Sequence, residues 1–458
     1  ASDAFTAIKQ VATTEATGVV ELATDVEAIA MTETDKVLTP SNLPSVLQTF
    51  AYGVRWDTTN SSPTCTKGII VNGVFVAVDY ASYPIQEKMK RCILAHETGE
   101  LVYYLHPENS ALKTDGGTAN LDGTDGQVMV QVPKFEYLIT EDGDYKYLLV
   151  SENSFYLTLS DTSKEYSRVH EWFNESGELS EYKYFSAFEG VLKRSGSYVD
   201  GTGAQTGTAG DLIHSVYGYI PLTYFTRIER RTYSVDGIFH QLGYWANEAI
   251  ILLMLTEYGS WNSQSWLPGY TEGTPWDFSK VCKTGITAQL GNVSGSISWA
   301  DAPSGLRCSY DWSGTPSIIL ANSYRGIENI FGHLWKWVDG INIQFIGNLL
   351  TDVDVYVCND PDNWAEDTST NYTDLGIDLP LVNGYQKTLH NGCLLPSAGG
   401  GDSATYICDS YYASAVAGWR ALLSGGNLIA GASAGFAYRY AVHAGLDRYS
   451  SFAGRTCG

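Results

Sequence analysis

The chain of 458 residues contains no Cys-x-x-Cys pair, which excludes a zinc site built from such pairs. Its eight cysteines are scattered: Cys65, Cys92, Cys282, Cys308, Cys358, Cys393, Cys408 and Cys457. A long chain with ordinary apolar content needs no disulfides to hold a core, so mostly buried thiols are expected. Long apolar runs are also missing. The longest, Ala249 to Leu255, is far too short to span a bilayer. The first residues have neither a basic region nor an apolar one after it, and do not read as a signal peptide. Positive charge is scarce: 28 Lys and Arg stand against 51 Asp and Glu, a net charge of −23. A polyanion such as nucleic acid, or an anionic membrane surface, would be repelled over most of such a surface. No repeat of 20 to 50 residues is visible, which disfavours a propeller or solenoid.

What is present is glycine (46) and tyrosine (31), a mixture suited to strands joined by many turns. The length predicts two or three domains. Residues 1–50 lack Trp and Cys and carry two short helix patterns. Thr24 or Asp25 can cap the first and Thr39 the second, with Pro40 at its first position. Gly68 to Val78 reads as a hairpin around Asn72-Gly73, and Arg91 to Leu105 as a strand pair around Thr98-Gly99. Residues 108–126 read as a loop. Val128, Val130 and Val132 mark a strand, for which Pro133 disfavours a central position. Another hairpin centres on Asp142-Gly143-Asp144, and 197–211 reads as a flexible insertion. The best helix is Ala246 to Gly259, with Asn247 as its cap and Gly259 as its end.

Catalytic motifs fail on their context. Gly431-Ala432-Ser433-Ala434-Gly435 matches a nucleophile elbow, but its flanks are glycine-rich and aromatic rather than strand and helix. His96-Glu97 and His170-Glu171 lack a His three residues after the Glu, so no zincin motif exists. Gly201-Thr202-Gly203 has no Gly at 206. Asp352, Asp354, Asp360 and Asp362, with Asp374 and Asp378, offer oxygen ligands for a Ca²⁺ ion; solvated loop carboxylates are the plainer reading. No cofactor is otherwise implied. Trp335, Trp337 and Trp364 could stack on sugars, although scaffold packing suits the first two better, beside Arg325, Glu328 and Asp339.

The last forty residues are the most informative. Gly418-Trp419-Arg420, Gly425-Gly426 and the closing Gly454, Arg455 and Cys457 bracket a window from Asn427 to Phe452. Within it lie Tyr438, Arg439, Tyr440, His443, Asp447, Arg448 and Tyr449, with Gly431, Gly435 and Gly445 allowing tight turns. Tyr and Arg give large contact areas at modest entropic cost, as in paratopes. Asn427 and these seven residues are the expected binding surface, and Phe436 and Phe452 the expected core.

Two stretches resemble known families. Ala12-Thr13, Gly18 to Thr24, Glu27-Ala28 and Thr39-Pro40 with Leu43 are similar to the N-terminal repeat of bacteriophage tail-fibre proteins. There the segment lies at the fibre end nearer the particle, and the proteins are trimers. Leu255 to Tyr270, Ser323 to Ile343, Gly418 to Gly426 and Gly454 to Cys457 are similar, in this order, to the C-type-lectin-like domain of phage receptor-binding proteins and diversity-generating retroelement targets. The formylglycine-generating enzymes share that fold. They bind copper through a cysteine pair, for which only Cys408 and Cys457 could stand here, without supporting context.

The resemblance implies an α+β fold. It marks an attachment and trimerisation arm (1–50) and a lectin-like domain of the formylglycine-generating-enzyme-like subclass (120–458); the alternating pattern between them (51–119) reads as a small β domain or as the first sheet of the main domain. It further implies a variable, non-catalytic surface that binds a host cell-surface protein or glycan on a homotrimeric virion fibre assembled in the host cytoplasm. Nucleic acid and membrane insertion are not expected. The alternatives are a structural tail or baseplate component docking another virion protein, and a glycan-degrading tail enzyme with two placed carboxylates.

Overall fold

In the computed structural model, residues 51–80, 82–201, 203–272, 281–307, 319–347, 352–414 and 416–458 are described. The expected arm and its two helices lie outside them, as does Cys308. The fold is mostly β with few helices, and one sheet curls into a half-barrel.

Three large sheets organise the chain. The first runs, in spatial order, Arg168–Val169, Glu136–Asp142, Tyr145–Ser151, Tyr52–Asp57, Thr66–Val71 and Val74–Ala77. The second runs His240–Gln241, Thr456–Cys457, Tyr182–Ser186, Gln127–Pro133, Lys90–Leu94, Leu101–His106 and Asn109–Lys113. The third runs Thr373–Asp378, Asp352–Val357, Trp335–Ile346, Gly418–Ser424, Arg439–Ala441, Ser410–Ala413, Gly384–Leu389 and Pro396–Gly399, with Phe452–Ala453 beside Trp335. In each of the first two sheets a block of strands from before residue 119 pairs edge to edge with a block from after it. Of the two readings of residues 51–119, the shared sheets fit strands of the main domain rather than a separate β domain. The hydrogen-bond ladders cross that boundary twice, and one hydrophobic core spans it.

The hairpins follow their turn chemistry. Val71 pairs with Val74 across Asn72 and Gly73, at φ 52° and 78°. Both central residues of that turn need positive φ, which glycine and asparagine supply. The hairpins at Thr98-Gly99 and Asp142-Gly143-Asp144 form as expected. Three expectations change. Residues 109–113 form a strand rather than loop. Gln127–Pro133 is a central, fully buried strand, tolerated because Pro133 is its last residue. Both ends of the 197–211 segment are held: Ser197–Val199 pairs with Val191–Arg194, and Arg194 grips Asp211 through two hydrogen bonds of 2.8 and 2.6 Å.

The two longest helices among the described residues bond to the C-terminal window: α1 (Arg227–Ser234) through Arg227, and α2 (Tyr244–Tyr258) through Glu248. Helix α1 starts with a capping box, Thr226 with Glu229. Helix α2 begins at Tyr244, so Asn247 lies inside it rather than at its cap; Gly259 ends it in the left-handed conformation at φ 67°. Twelve of its fifteen residues are buried, on every face. It packs between the first sheet and the strand Trp335–Ile346 and lies in the main core. Each fully buried Ile or Leu there contributes roughly 1.5–3 kcal/mol.

The four segments that resemble the lectin-like family meet around Trp335–Ile346. Gly332 N–H donates to Gly425 O (2.9 Å), Arg455 donates to Asn329 O (2.9 Å) and to Glu328 O, and His333 N–H donates to Tyr270 O (2.7 Å). In that strand the register slips between Val338 and Ile343, at Asp339-Gly340. Gly340 takes φ +68° with Cys358 O 2.8 Å from where a Cβ would stand. Such a bulge re-aims a side chain. Here it turns Asp339 toward Arg231, at 2.7 and 2.8 Å. Arg325, Glu328 and Asp339 thus do not form one network. Arg325 pairs with Glu257, Glu328 accepts from Gly285 and Thr287, and Asp339 binds the α1 arginines.

Candidate binding surface

The third sheet positions the C-terminal window. Arg439–Ala441 lies parallel to Ser410–Ala413, so Tyr412 and Tyr440 are direct neighbours. Their rings lie 5.6 Å apart, and Trp335 supports Tyr440 from below at 5.1 Å. Beyond Ala441 the chain forms a loop, 442–451, fixed by its backbone. Ala421 N–H donates to His443 O (2.9 Å), Arg227 N–H to Gly445 O (2.9 Å), Tyr224 N–H to Tyr449 O (3.1 Å) and Trp335 N–H to Ser451 O (2.9 Å). Its floor is a buried ion cluster in which Arg227 and Arg231 share Glu366 and Asp339. Gly445 sits directly on Glu366, where a Cβ would overlap the carboxylate.

On this frame the rings form a continuous ladder. His443 stacks on Tyr440 at 5.5 Å and an interplanar angle of 23°, and Tyr449 lies 4.9 Å from His443. His443 Nδ1 is held 2.8 Å from Asp447 Oδ2, which also accepts from Ala444 N–H. Arg448 reaches back to Glu229 (2.9 Å). Tyr449 is 47% exposed and Leu446 61%, while Tyr412, Tyr440 and His443 are half-buried. Burial, with neighbouring Tyr412 and Tyr449, raises the Tyr440 phenol above its ordinary value, so it stays a neutral hydroxyl donor. The face can offer apolar area with hydroxyl, imidazole and guanidinium groups at its rim.

Of the eight residues expected at the surface, five lie here: Tyr440, His443, Asp447, Arg448 and Tyr449. Asn427, Tyr438 and Arg439 do not, because all three are buried. Asn427 O accepts from Ala430 N–H inside a turn, and Tyr438 packs edge-on against Trp335 at 4.6 Å. Arg439 is an interior clip: its guanidinium binds Glu248 of α2 (2.8 Å), Ser424 Oγ (3.0 Å) and Phe436 O (3.0 Å). A charge is buried where a partner carboxylate awaits it, and the sequence places Glu248 nearly two hundred residues away. Phe436 and Phe452 are core, as expected. Tyr412 was missed. The adjacent Tyr411-Tyr412 pair carries the signal, since neighbours on a strand face opposite ways and one ring must leave the core. Leu446 had no signal beyond its neighbours.

The other candidates resolve simply. Trp335, Trp337 and Trp364 are buried scaffold. Gly431–Ser433 is a single 3-10 turn, not an elbow between strand and helix. Cys65, Cys92, Cys358, Cys393, Cys408 and Cys457 are buried free thiols. Cys408 and Cys457 join no cluster of possible metal ligands among the described residues. Asp352, Asp354 and Asp378 gather on neighbouring strands, where a hydrogen bond with Asp378 and the nearby charges raise Asp352. Asp360 instead caps the turn Pro361–Asn363, away from them. No protein-family model matches the sequence, and no curated protein is similar to it.

Proposed function

We propose that this chain is a non-enzymatic receptor-binding protein of a phage tail fibre. Its C-terminal part is a C-type-lectin-like domain of the formylglycine-generating-enzyme-like subclass. That domain binds a host cell-surface protein or glycan through Tyr412, Tyr440, His443, Tyr449 and Leu446. The observation that carries the reading is the half-exposed aromatic ladder held on a stapled loop. Preordered aromatic rings lose little entropy on binding and are the usual anchors of an interface. The fibre-like pattern in residues 1–50 supports attachment to a trimeric virion fibre, where three weak sites would act together. The net charge of −23 favours a partner that is not a polyanion.

The test is binding of the purified full-length chain to a panel of bacterial cells, followed by fluorescence. Tyr440→Ala and Tyr449→Ala should each lower binding to responsive cells about fivefold or more, the effect of losing a modest hot spot. Tyr449→Ala should melt like the parent chain, whereas Tyr440→Ala, which loses packing on Trp335 and Tyr412, should melt lower yet stay folded at the assay temperature. Undiminished binding by both variants refutes this surface. Labelling a Leu446→Cys thiol on intact particles separates the structural alternative: a receptor site stays accessible, whereas a docked component is protected.

A further inference from the structure

Three side chains from distant parts of the chain converge beside the second sheet. His96 follows the strand Lys90–Leu94, in a turn closed by Gly99 N–H donating to Ala95 O (2.9 Å). His214 ends the strand Leu212–His214. Asp236 lies in the turn after α1, where its backbone bonds that of Phe239 in both directions. Gly237, at φ +65°, lets this turn rest on the first one, for a Cβ there would overlap the Glu97 carbonyl.

The approach of the three groups is close. Asp236 Oδ2 lies 2.8 Å from His214 Nε2 and 3.7 Å from His96 Nδ1. All three donor atoms fall within 4.8 Å of one another. Neighbouring donors on a four-coordinate ion with bonds of about 2.0–2.1 Å stand roughly 3.3 Å apart, which these two distances bracket. His214 is fully buried, whereas His96 and Asp236 are partly open to solvent on one side.

The outer ring nitrogens orient the inner ones. His96 Nε2 is 2.9 Å from Gly123 O. A carbonyl only accepts, so Nε2 carries the hydrogen and Nδ1 of the neutral ring is a bare lone pair. His214 Nδ1 is anchored by Tyr198 Oη at 2.8 Å. Tyr198 fits there because Gly123 has no Cβ to meet it. His96 Nδ1 completes no hydrogen bond, and His214 Nε2 has only the Asp236 carboxylate within hydrogen-bond distance. A plain hydrogen-bonded cluster accounts for the His214–Asp236 contact but leaves the lone pair of His96 Nδ1 beside the carboxylate. Imidazoles anchored through one nitrogen, with the other aimed at a shared space, are instead the pattern of metal ligands. Among the described residues, no Lys or Arg lies within ion-pair distance of Asp236, Lys193 acting only from farther off, and a cation between the three groups would neutralise the carboxylate directly.

We propose that His96, His214 and Asp236 bind a divalent first-row transition ion, with a further coordination position open on the solvent side. Two imidazoles and one carboxylate suit Zn²⁺ and its neighbours, whereas Ca²⁺ and Mg²⁺ prefer oxygen ligands.

The test uses the full chain, stripped with a chelator and exchanged into metal-free buffer. Zn²⁺ is titrated in competition with a chromophoric chelator, and Co²⁺ is followed by its visible absorption. One equivalent of each should bind, and excess Ca²⁺ should not displace it. His214→Ala and Asp236→Asn should abolish the site. Tyr198→Phe keeps all three ligands and should weaken binding about 10–100-fold. Asp352→Asn, in the exposed acidic cluster, should change nothing. If His214→Ala does not fold by circular dichroism, the partly exposed His96→Ala and the conservative Tyr198→Phe carry the test. Absence of uptake by the parent chain overturns the proposal. So does parent-like binding in folded His96→Ala and Tyr198→Phe chains.

Discussion

Replacing Arg439 by Met separates a residue that holds the fold from one that touches a partner. The side chains are similar in length, so the chief loss is the charge. Glu248 would keep one backbone donor, Leu394 N–H at 3.0 Å, and would lose its counter-ion inside the protein. Breaking a buried pair by removing one member costs about 3–5 kcal/mol. Unfolding entropy is about 0.8 kcal/mol per degree for a cooperative unit of roughly 400 residues, so the melting temperature should fall by about 4–6 °C. The loss should also depend on pH. Burial already raises Glu248 above its ordinary value near 4.5, and Arg439 opposes that rise. Without Arg439 the folded carboxyl titrates higher still. A carboxyl raised in the folded state destabilises progressively as pH climbs from its unfolded value toward its folded one. The deficit should be largest near neutrality and shrink toward pH 4. Adding Glu248→Gln should restore most of the stability, because it removes the stranded charge. Thermal and urea unfolding, followed by tryptophan fluorescence at several pH values, reads all of this. A parental melting temperature in Arg439→Met at pH 7, or a deficit independent of pH, would refute the reasoning.

Asp409 gives a second pH signature. Burial pushes its carboxyl up to about 8, so the folded state holds it neutral while the unfolded chain ionises near 3.8. Stability should decline between those values, and Asp409→Asn should gain up to about 1.4 kcal/mol per pH unit across them, with no gain below about pH 3.5. Gly340→Ala should destabilise by about 1–2 kcal/mol or more in urea titrations, because the bulge needs positive φ and has no room for a Cβ. Gly445→Ala should push Glu366 off Arg227 and Arg231, lowering both melting temperature and cell binding together. Tyr449→Ala, by contrast, should lower binding with a stability change within about 0.5 kcal/mol, since the side chain is half in solvent.

Local chemistry was legible wherever the deciding contacts lie close in sequence. Asn72-Gly73 and Asp142-Gly143 impose their turns through backbone sterics alone, and Gly259 ends its helix for the same reason. The start of α2 was misplaced because Asn247 has the chemistry of a cap, yet Tyr244 to Ala246 gain more by burial against the core than the cap would supply. Pro133 pointed to an edge strand. Its position at the strand's last residue lets the neighbouring valines pair on both sides.

The sequence by itself determined that the chain is strand-rich, acidic and closed by an aromatic window, because composition and turn residues act over a few positions. It also singled out five window residues that reach the surface, among eight expected there. Only the tertiary structure decided which way each of them faces. Arg439 turns inward because Glu248 waits on a remote helix, and Tyr412 joins Tyr440 because two strands 28 residues apart run side by side. It alone brought His96, His214 and Asp236 together, since two turns and a strand end of unrelated local chemistry meet only in the folded chain. Long-range pairing sets such meetings, and no short pattern encodes them.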